Sequence, residues 1–201
     1  LVKNHGQLET FTEGTGNAGN IIVTAKQNIE IDNGLITSAS AGSANGGNIE
    51  LTSTQGNIVM TNEPFVTVQA NDSSGNAGNI TVRAPSGDIV LADGDLFVNV
   101  SGVEATGGTG GSGQIQLAAN NLQLTSMNVN QVNGSPLPVG NMTVTLSGSL
   151  SLHGDSRIFT TTRGPAPSAD LNITAHDVHI SEGSFLSTET TSSGPGGRLN
   201  I

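Results

Sequence analysis

The sequence predicts an all-β protein, a right-handed parallel β-helix (β-solenoid) with three short strands per coil and about six to seven coils. A turn motif recurs along the chain, as GNAGNIIV at 16–23, NGGNIEL at 45–51 and GNAGNITV at 75–82. After each copy, apolar and polar residues alternate, which indicates a strand with one buried face. The composition agrees: the chain has 28 Gly, five Phe and no Trp, Tyr or Cys, so its core must consist of many small aliphatic layers.

The first strand of each coil begins at an apolar residue just after the turn motif. These residues are Ile21, Ile49, Ile80, Ile115, Met142, Leu171 and Leu199. Subtraction of successive residue numbers gives periods of 28, 31, 35, 27, 29 and 28 residues. Periods of this length are typical of solenoid repeats, and we expect most coils to take about 28–31 residues.

Two further strands complete each coil. The second strands are IEI at 29–31, IVM at 58–60, IVL at 89–91, LQL at 122–124, LSL at 150–152 and VHI at 178–180. The third strands are rich in Thr and Ser and follow a turn with Asp, Asn or Gly, as in LITSAS at 35–40. A single coil would leave much of its apolar surface in water, so the coils are expected to stack.

Stacking places equivalent strands of successive coils in parallel, about 4.8 Å apart. The inward residues then form columns, one beginning with Ile21, Ile49 and Ile80. A second column consists of Ile31, Met60, Leu91, Leu124, Leu152 and Ile180. Right-handed winding is usual for parallel strands joined by crossovers. Six intervals between coils predict a rod of roughly 29 Å.

The residue before each first strand is predicted to form a structural corner ladder. Asn occupies this position at Asn20, Asn48, Asn79 and Asn141. Stacked Asn side chains can hydrogen-bond along a stack of strands. The glycines of the same motif are expected to supply positive φ angles at the corner.

The whole chain, 1–201, is predicted to be one β-helix segment of a longer repeat protein, with 1–13 forming the end of a preceding coil. From 14 to 201, four features carry a family resemblance: the GNAGNI corner, the very short strands, second strands ending near DNG or ADGD, and Thr- and Ser-rich third strands with glycine-rich returns. This pattern resembles the repeats of filamentous-haemagglutinin-like exoproteins of the two-partner secretion route (TpsA type), notably the cyanobacterial ones. The amino-terminal secretion domain of that family is not visible in the sequence.

The resemblance implies a secreted protein, located at the cell surface or in the extracellular fibres and biofilm matrix of a Gram-negative-type bacterium. It also implies an outer-membrane transporter as a partner during secretion. By the same resemblance the protein would be an adhesin, with cell-surface glycans as candidate ligands.

Charge and composition exclude several classes of partner. The formal net charge is −10, from 16 acidic and 6 basic residues, and the basic patches that bind nucleic acid are missing. No apolar stretch approaches the roughly 18 residues of a membrane-spanning helix. The absence of Cys excludes disulfides and thiolate metal sites.

The sequence predicts no catalytic residue, no cofactor site and no enzyme activity. The outward positions of the first strands hold one acid, Glu50, which is not a carboxylate pair. The oxygen-rich turns after the second strands make Asp93 and Asp95 the first candidates for a calcium ion, although Asp is also an ordinary turn former. His153 and His179 lie on neighbouring coils and would have to lean together to bind a metal.

Three functions remain open after the sequence analysis. The first is a structural or adhesive rod without catalysis, the alternative is a carbohydrate-active or carbohydrate-binding β-helix, and the third is an ice-binding solenoid, suggested by FTTT at 159–162. Variable returns such as SGVEATGGTGGSG at 101–113 and RGPAPSA at 163–169 are expected either to bind partners or to serve as flexible linkers that close the coil. Parallel edges at the ends of the stack also predict end-to-end or lateral stacking with further copies.

Overall fold

The computed structural model describes residues 2–41, 43–71, 75–101, 111–137 and 139–201, with the side chains of 71 and 96–101 excepted. Most of the glycine-rich return predicted at 101–113 therefore lies outside the described residues. Within these ranges the chain forms β-strands joined by turns, and no helix occurs. The all-β prediction is confirmed.

Twenty-one strands, numbered in chain order, form three sheets. Sheet A contains β1 (Val2–Lys3), β4 (Ile29–Asp32), β7 (Ile58–Thr61), β10 (Ile89–Ala92), β13 (Leu122–Thr125), β16 (Ser149–His153) and β19 (Asp177–Ile180). Sheet B contains β2 (Gln7–Thr12), β5 (Leu35–Ser40), β8 (Phe65–Asn71), β11 (Asp95–Ser101), β14 (Asn128–Asn133), β17 (Arg157–Thr162) and β20 (Phe185–Thr190). Sheet C contains β3 (Ile21–Ala25), β6 (Ile49–Ser53), β9 (Ile80–Ala84), β12 (Ile115–Ala119), β15 (Met142–Leu146), β18 (Leu171–Thr174) and β21 (Leu199–Asn200).

Each sheet takes every third strand of the chain, and neighbouring strands in a sheet are parallel. The chain therefore visits sheets A, B and C once per coil, and about six turns stack into a β-solenoid. The predicted register is confirmed, because Ile49 pairs with Ile21 on one side and with Ile80 on the other. The first strands are slightly longer than the three residues predicted, since β3, β6 and β9 each have five.

The core is a continuous aliphatic column enclosed by the three sheets. Ile49, Ile80 and Leu91 are at most 1% exposed, which is expected when a coil lies above and below each of them. In the last coil the same columns are less covered, and Ile180 and Leu199 are each 42% exposed. Burial of an aliphatic side chain contributes about 1.5–3 kcal/mol, so each coil depends on its neighbours for most of its stability.

The glycines of the corner motif have a different role from the one predicted. The expectation that they supply positive φ angles is wrong, because the described glycines with positive φ are Gly154 and Gly183, which both follow sheet A strands. At Gly47 and Gly78 a Cβ atom would overlap the carbonyl group of the glycine one coil earlier, Gly19 and Gly47 respectively. Glycine is required there because the backbones of successive coils approach too closely for any side chain.

The positive φ angles lie instead at the turn between sheets A and B, which we call the AB turn. Asn33 (φ 50°), Asn62 (φ 58°) and Asp93 (φ 57°) are residue types that tolerate the left-handed region. Glu63 (φ 62°) and Ser126 (φ 50°) adopt it as well, although their side chains favour it less. The turn geometry is thus imposed by the stack of coils as much as by local propensity.

Candidate functional site

The corner residues Asn20, Asn48 and Asn79 are joined into a ladder along the stack. The backbone N–H of Asn48 donates to Oδ1 of Asn20 at 2.8 Å, and that of Asn79 donates to Oδ1 of Asn48 at 2.8 Å. The side-chain amide of Asn79 also donates to Asn48 Oδ1, at 3.1 Å. Each side chain therefore satisfies a backbone donor of the following coil.

The fourth predicted residue, Asn141, lies in a separate part of the same ladder. Its Oδ1 accepts from the backbone N–H of Asp170 at 3.2 Å, and Oδ1 of Asp170 accepts from the N–H of Arg198 at 2.8 Å. Aspartate thus replaces asparagine without loss of the backbone hydrogen bond, because only the side-chain oxygen is needed.

Two further ladders were not predicted. In one, Oδ1 of Asn17 accepts from the N–H of Asn45 at 3.1 Å, and Oδ1 of Asn45 accepts from the N–H of Asn76 at 2.8 Å. The other lies just before the sheet A strands and joins Asn28, Asn57, Asp88, Asn121 and Ser149. Its signal in the sequence is the Asn or Asp that precedes the second strand at Asn28, Asn57, Asp88 and Asn121.

We expect Asn48→Ala to lower the free energy of unfolding by about 1 kcal/mol, because one backbone N–H at the corner loses its partner. Asn48→Asp should cost less, since its side-chain oxygen can still accept from Asn79 N–H. Urea unfolding followed by far-UV circular dichroism measures both variants. Equal losses in the two would show that the oxygen acceptor does not stabilise the corner.

Polar side chains of sheet B donate hydrogen bonds, inside the coil, to carbonyl groups of the glycine corner that precedes the sheet C strands. Ser38 Oγ donates to the carbonyl of Gly19 at 3.0 Å, and Thr160 Oγ1 donates to that of Ala169 at 2.9 Å. Gln131 Nε2 donates to the carbonyls of Gly113 (2.7 Å) and Gly140 (2.5 Å). These bonds, buried or partly buried, join sheet B to the glycine corner.

Of the calcium candidates, Asp93 lies in the AB turn and Asp95 is the first residue of β11. Asp93 is exposed, and Asp95 is half-buried between its register partners Phe65 and Asn128. Across the part of the chain that the structure describes, no three His, Asp or Glu side chains come close enough to hold a metal ion. The structure therefore gives these two carboxylates no further ligand from that set of residues.

The two histidines considered for a metal make other contacts. Nδ1 of His153 lies 2.7 Å from Oγ of Ser181, its neighbour on the next coil. His179 pairs in register with Ser151 and is exposed. A different histidine, His176, forms an exposed ion pair with Asp177, with Nδ1 and Oδ2 2.9 Å apart.

Hydrogen bonding and charge attraction to Asp177 raise the pKa of His176 above its ordinary 6.5. The same contacts lower the pKa of Asp177. The pair therefore stabilises the fold between these two pKa values: its contribution is lost as pH rises through the raised value or falls through the lowered one. NMR titration should give a lower pKa for His176 in Asp177→Asn, and an unchanged value would contradict the pairing.

The aromatic residues of the chain gather on sheet B. The structure places Phe11, Phe65, Phe159 and Phe185 at less buried positions of β2, β8, β17 and β20, and Phe97 is register partner to Thr67 and Asn130. Phe11, Phe65 and Phe185 are 50%, 37% and 36% exposed. This grouping was not predicted, although every Phe of the chain falls in a third strand. The alternation of side chains along a strand predicts which face of the sheet each Phe is on.

Thr37 and Thr67 are register neighbours on the same sheet, and the column continues with Phe97 and Asn130. The regular threonine array expected of an ice-binding surface is therefore interrupted.

A shallow cleft of about 250 Å³ lies where the AB turns meet sheet B near the first coils. Its lining comes from three successive coils and consists of His5, Gln7, Asn33, Gly34, Leu35, Glu63 and Phe65. We call it the Phe65 cleft. Its floor is apolar, from Leu35 and Phe65, which are register partners, and its rim is polar.

A second cleft of about 400 Å³ lies further along the same turns. Its lining is polar and consists of Ser126, Asn128, Gly154, Asp155 and Arg157. The guanidinium of Arg157 lies 5.2 Å from the ring centroid of Phe185, a cation–π contact that covers one face of that ring. Of these two clefts, the Phe65 cleft has an aromatic ring in its lining.

Among the described residues there is no helix with the length and apolar character of a membrane span. Comparison of the chain with protein-family models, with curated proteins and with solved structures gave no match. The fold and the geometry of its surfaces are therefore the basis for any functional assignment.

Proposed function

We propose that this β-solenoid is a structural and adhesive rod of an extracellular exoprotein and that it has no catalytic role. The observation that supports the proposal is the unbroken stack, in which three parallel sheets continue from the first coil to the last. Hydrogen-bonded ladders reinforce it at two corners. Such a stack resists bending and presents long flat faces, which suits a spacer or an adhesive surface.

Secretion and family are part of the same proposal. The GNAGN corner, with its close backbone contacts at Gly47 and Gly78, supports the resemblance to filamentous-haemagglutinin-like two-partner exoproteins. An outer-membrane transporter would then be the secretion partner, and the protein would act at the surface of a Gram-negative-type bacterium. The net charge of −10 agrees with a highly soluble extracellular segment.

The terminal coils suggest a further contact. Ile180 and Leu199 keep part of their apolar surface uncovered, and strand edges recruit further strands. We propose that these edges pair with those of a second copy, end to end or laterally. Sedimentation velocity across a concentration series measures such association, and a strict monomer at the highest concentration would count against pairing with a second copy.

The rod is tested by adhesion and shape together. Fluorescently labelled protein should bind to bacterial or host cell surfaces, and negative-stain microscopy of tandem copies should show thin straight rods. Absence of binding to cell surfaces would contradict the adhesive role. Flexible or globular particles in the micrographs would contradict the structural role.

A carbohydrate-active or carbohydrate-binding β-helix is the second candidate, and the exposed phenylalanines of sheet B favour it. Incubation with polysaccharides separates the two forms of this candidate. Released reducing or unsaturated ends would indicate an enzyme, whereas retention on the polymer without products would indicate binding alone.

A further inference from the structure

The Phe65 cleft exposes part of an aromatic ring to solvent. Phe65 is 37% exposed, whereas Val66 and Val68 on the same strand are fully buried. Leu35, its register partner, is half-buried and extends the apolar floor. An exposed aromatic floor in a concave site is typical of a surface that receives a ligand with a flat apolar side.

The rim of the cleft supplies neutral amides and a carboxylate. Gln7 and Asn33 can each donate and accept hydrogen bonds, and Glu63 can accept them. His5 adds an imidazole on the side of the first coil. A ligand that suits this rim carries several hydroxyl groups around an apolar face.

The cleft is held rigid by hydrogen bonds between coils. The N–H of Phe65 donates to the carbonyl of Gly34 at 2.9 Å, and the N–H of Glu63 donates to that of Asp93 at 2.8 Å. The N–H of Leu35 donates to the carbonyl of Gly6 at 3.0 Å. A site fixed in this way loses little conformational entropy when a ligand binds.

The backbone of the rim has the left-handed conformation that the other AB turns share, as at Asp93, Ser126 and Asp155. His5 (φ 63°), Asn33 (φ 50°) and Glu63 (φ 62°) all adopt the left-handed region. The three rim side chains therefore project from turns whose conformation is set by the stacked coils.

Charge decides the class of ligand. Glu63 lies in the cleft, Asp95 pairs in register with Phe65, and the chain carries a net charge of −10. Uronic acids, sulfated glycans and phosphates would be repelled. A neutral pyranose has an apolar C–H face for Phe65 and a ring of hydroxyls for the rim.

We infer that the Phe65 cleft binds a sugar unit of a neutral polysaccharide, with the Phe65 ring stacked on the pyranose face. The inference rests on the adhesive part of the proposed function, for which it names a site and a ligand class. The hydroxyls are held by Gln7, Asn33 and Glu63, and the neighbouring carboxylate Asp95 helps to exclude anionic glycans.

The test uses the variant Phe65→Trp. The chain contains no Trp or Tyr, so the emission of this variant in the Trp range comes from the introduced indole. Probes are neutral hexasaccharides (cello-, laminari-, xylo- and manno-) and, as the anionic arm, hexagalacturonate. At least one neutral probe should shift the Trp emission saturably, and hexagalacturonate should not. By calorimetry, Phe65→Ala should bind that probe at least about tenfold more weakly than the unaltered chain, since loss of an aromatic contact costs this much or more.

Phe11→Ala is the matched control, because Phe11 is also exposed on sheet B but does not line the cleft. It should bind as the unaltered chain does, and circular dichroism should show all variants folded. Equal binding by Phe65→Ala and the unaltered chain would overturn the site while leaving adhesion elsewhere intact. Binding of no neutral probe, or of hexagalacturonate alone, would overturn the ligand class, and the cell-surface assay would then decide whether the rod is adhesive at all.

Discussion

Gly75→Ala is expected to lower the free energy of unfolding by about 3 kcal/mol, the cost of forcing extra atoms into a closely packed site. A Cβ atom at Gly75 would overlap the carbonyl oxygen and carbon of Ala44 and approach the nitrogen of Asn45. All three are backbone atoms of the preceding coil, so no side-chain rotation relieves the clash. The two coils would have to separate, which would weaken the strand pairing on either side.

Gly16 provides the matched control, because GNAGN at 16–20 and at 75–79 are identical in sequence. A Cβ atom at Gly16 would meet no atom within 4 Å. Gly16→Ala should therefore stay within about 0.5 kcal/mol of the unaltered chain. Chemical denaturation of both variants gives the comparison, and similar values for the two would show that close approach of coils is not why glycine is present.

Leu91→Ala is expected to cost about 2–5 kcal/mol, the range for a buried leucine replaced by alanine. Leu91 is fully buried and packs between Met60 and Leu124 in the same column. Removal of its side chain would leave a cavity that the regular backbone of three coils cannot close.

Ile180→Ala tests the same column at its end. Ile180 continues the series through Leu152 but is 42% exposed. Its loss should cost less than about 1 kcal/mol, because much of its surface is already in water. If thermal or urea unfolding gave equal losses for Leu91→Ala and Ile180→Ala, the columns would not be the source of stability.

The fold could be predicted from the sequence because the coil repeats and each strand alternates with a period of two. The recurrent turn motif before Ile21, Ile49 and Ile80 predicts that they align, and the structure pairs them in register. The regularity also allowed Asn20, Asn48 and Asn79 to be picked out as corner residues, which the structure joins by hydrogen bonds.

Two features could not be predicted in this way. The role of Gly78 depends on the distance to the backbone of the previous coil, which propensity rules for a single turn do not contain. The Phe65 cleft combines His5, Asn33 and Phe65, residues far apart in the chain that no short motif connects. They come together because three coils of unequal turn length are stacked, and that requires the register of all three.

Distances between spin labels along one outward column would test the stacked solenoid most directly. The chain has no Cys, so pairs of introduced cysteines can be labelled at Ile22 and each of Thr143, Asn172 and Asn200, which the strand register places in a single column. Four, five and six intervals of about 4.8 Å predict separations near 19, 24 and 29 Å. Distances that do not increase by about one strand spacing per coil would contradict the solenoid.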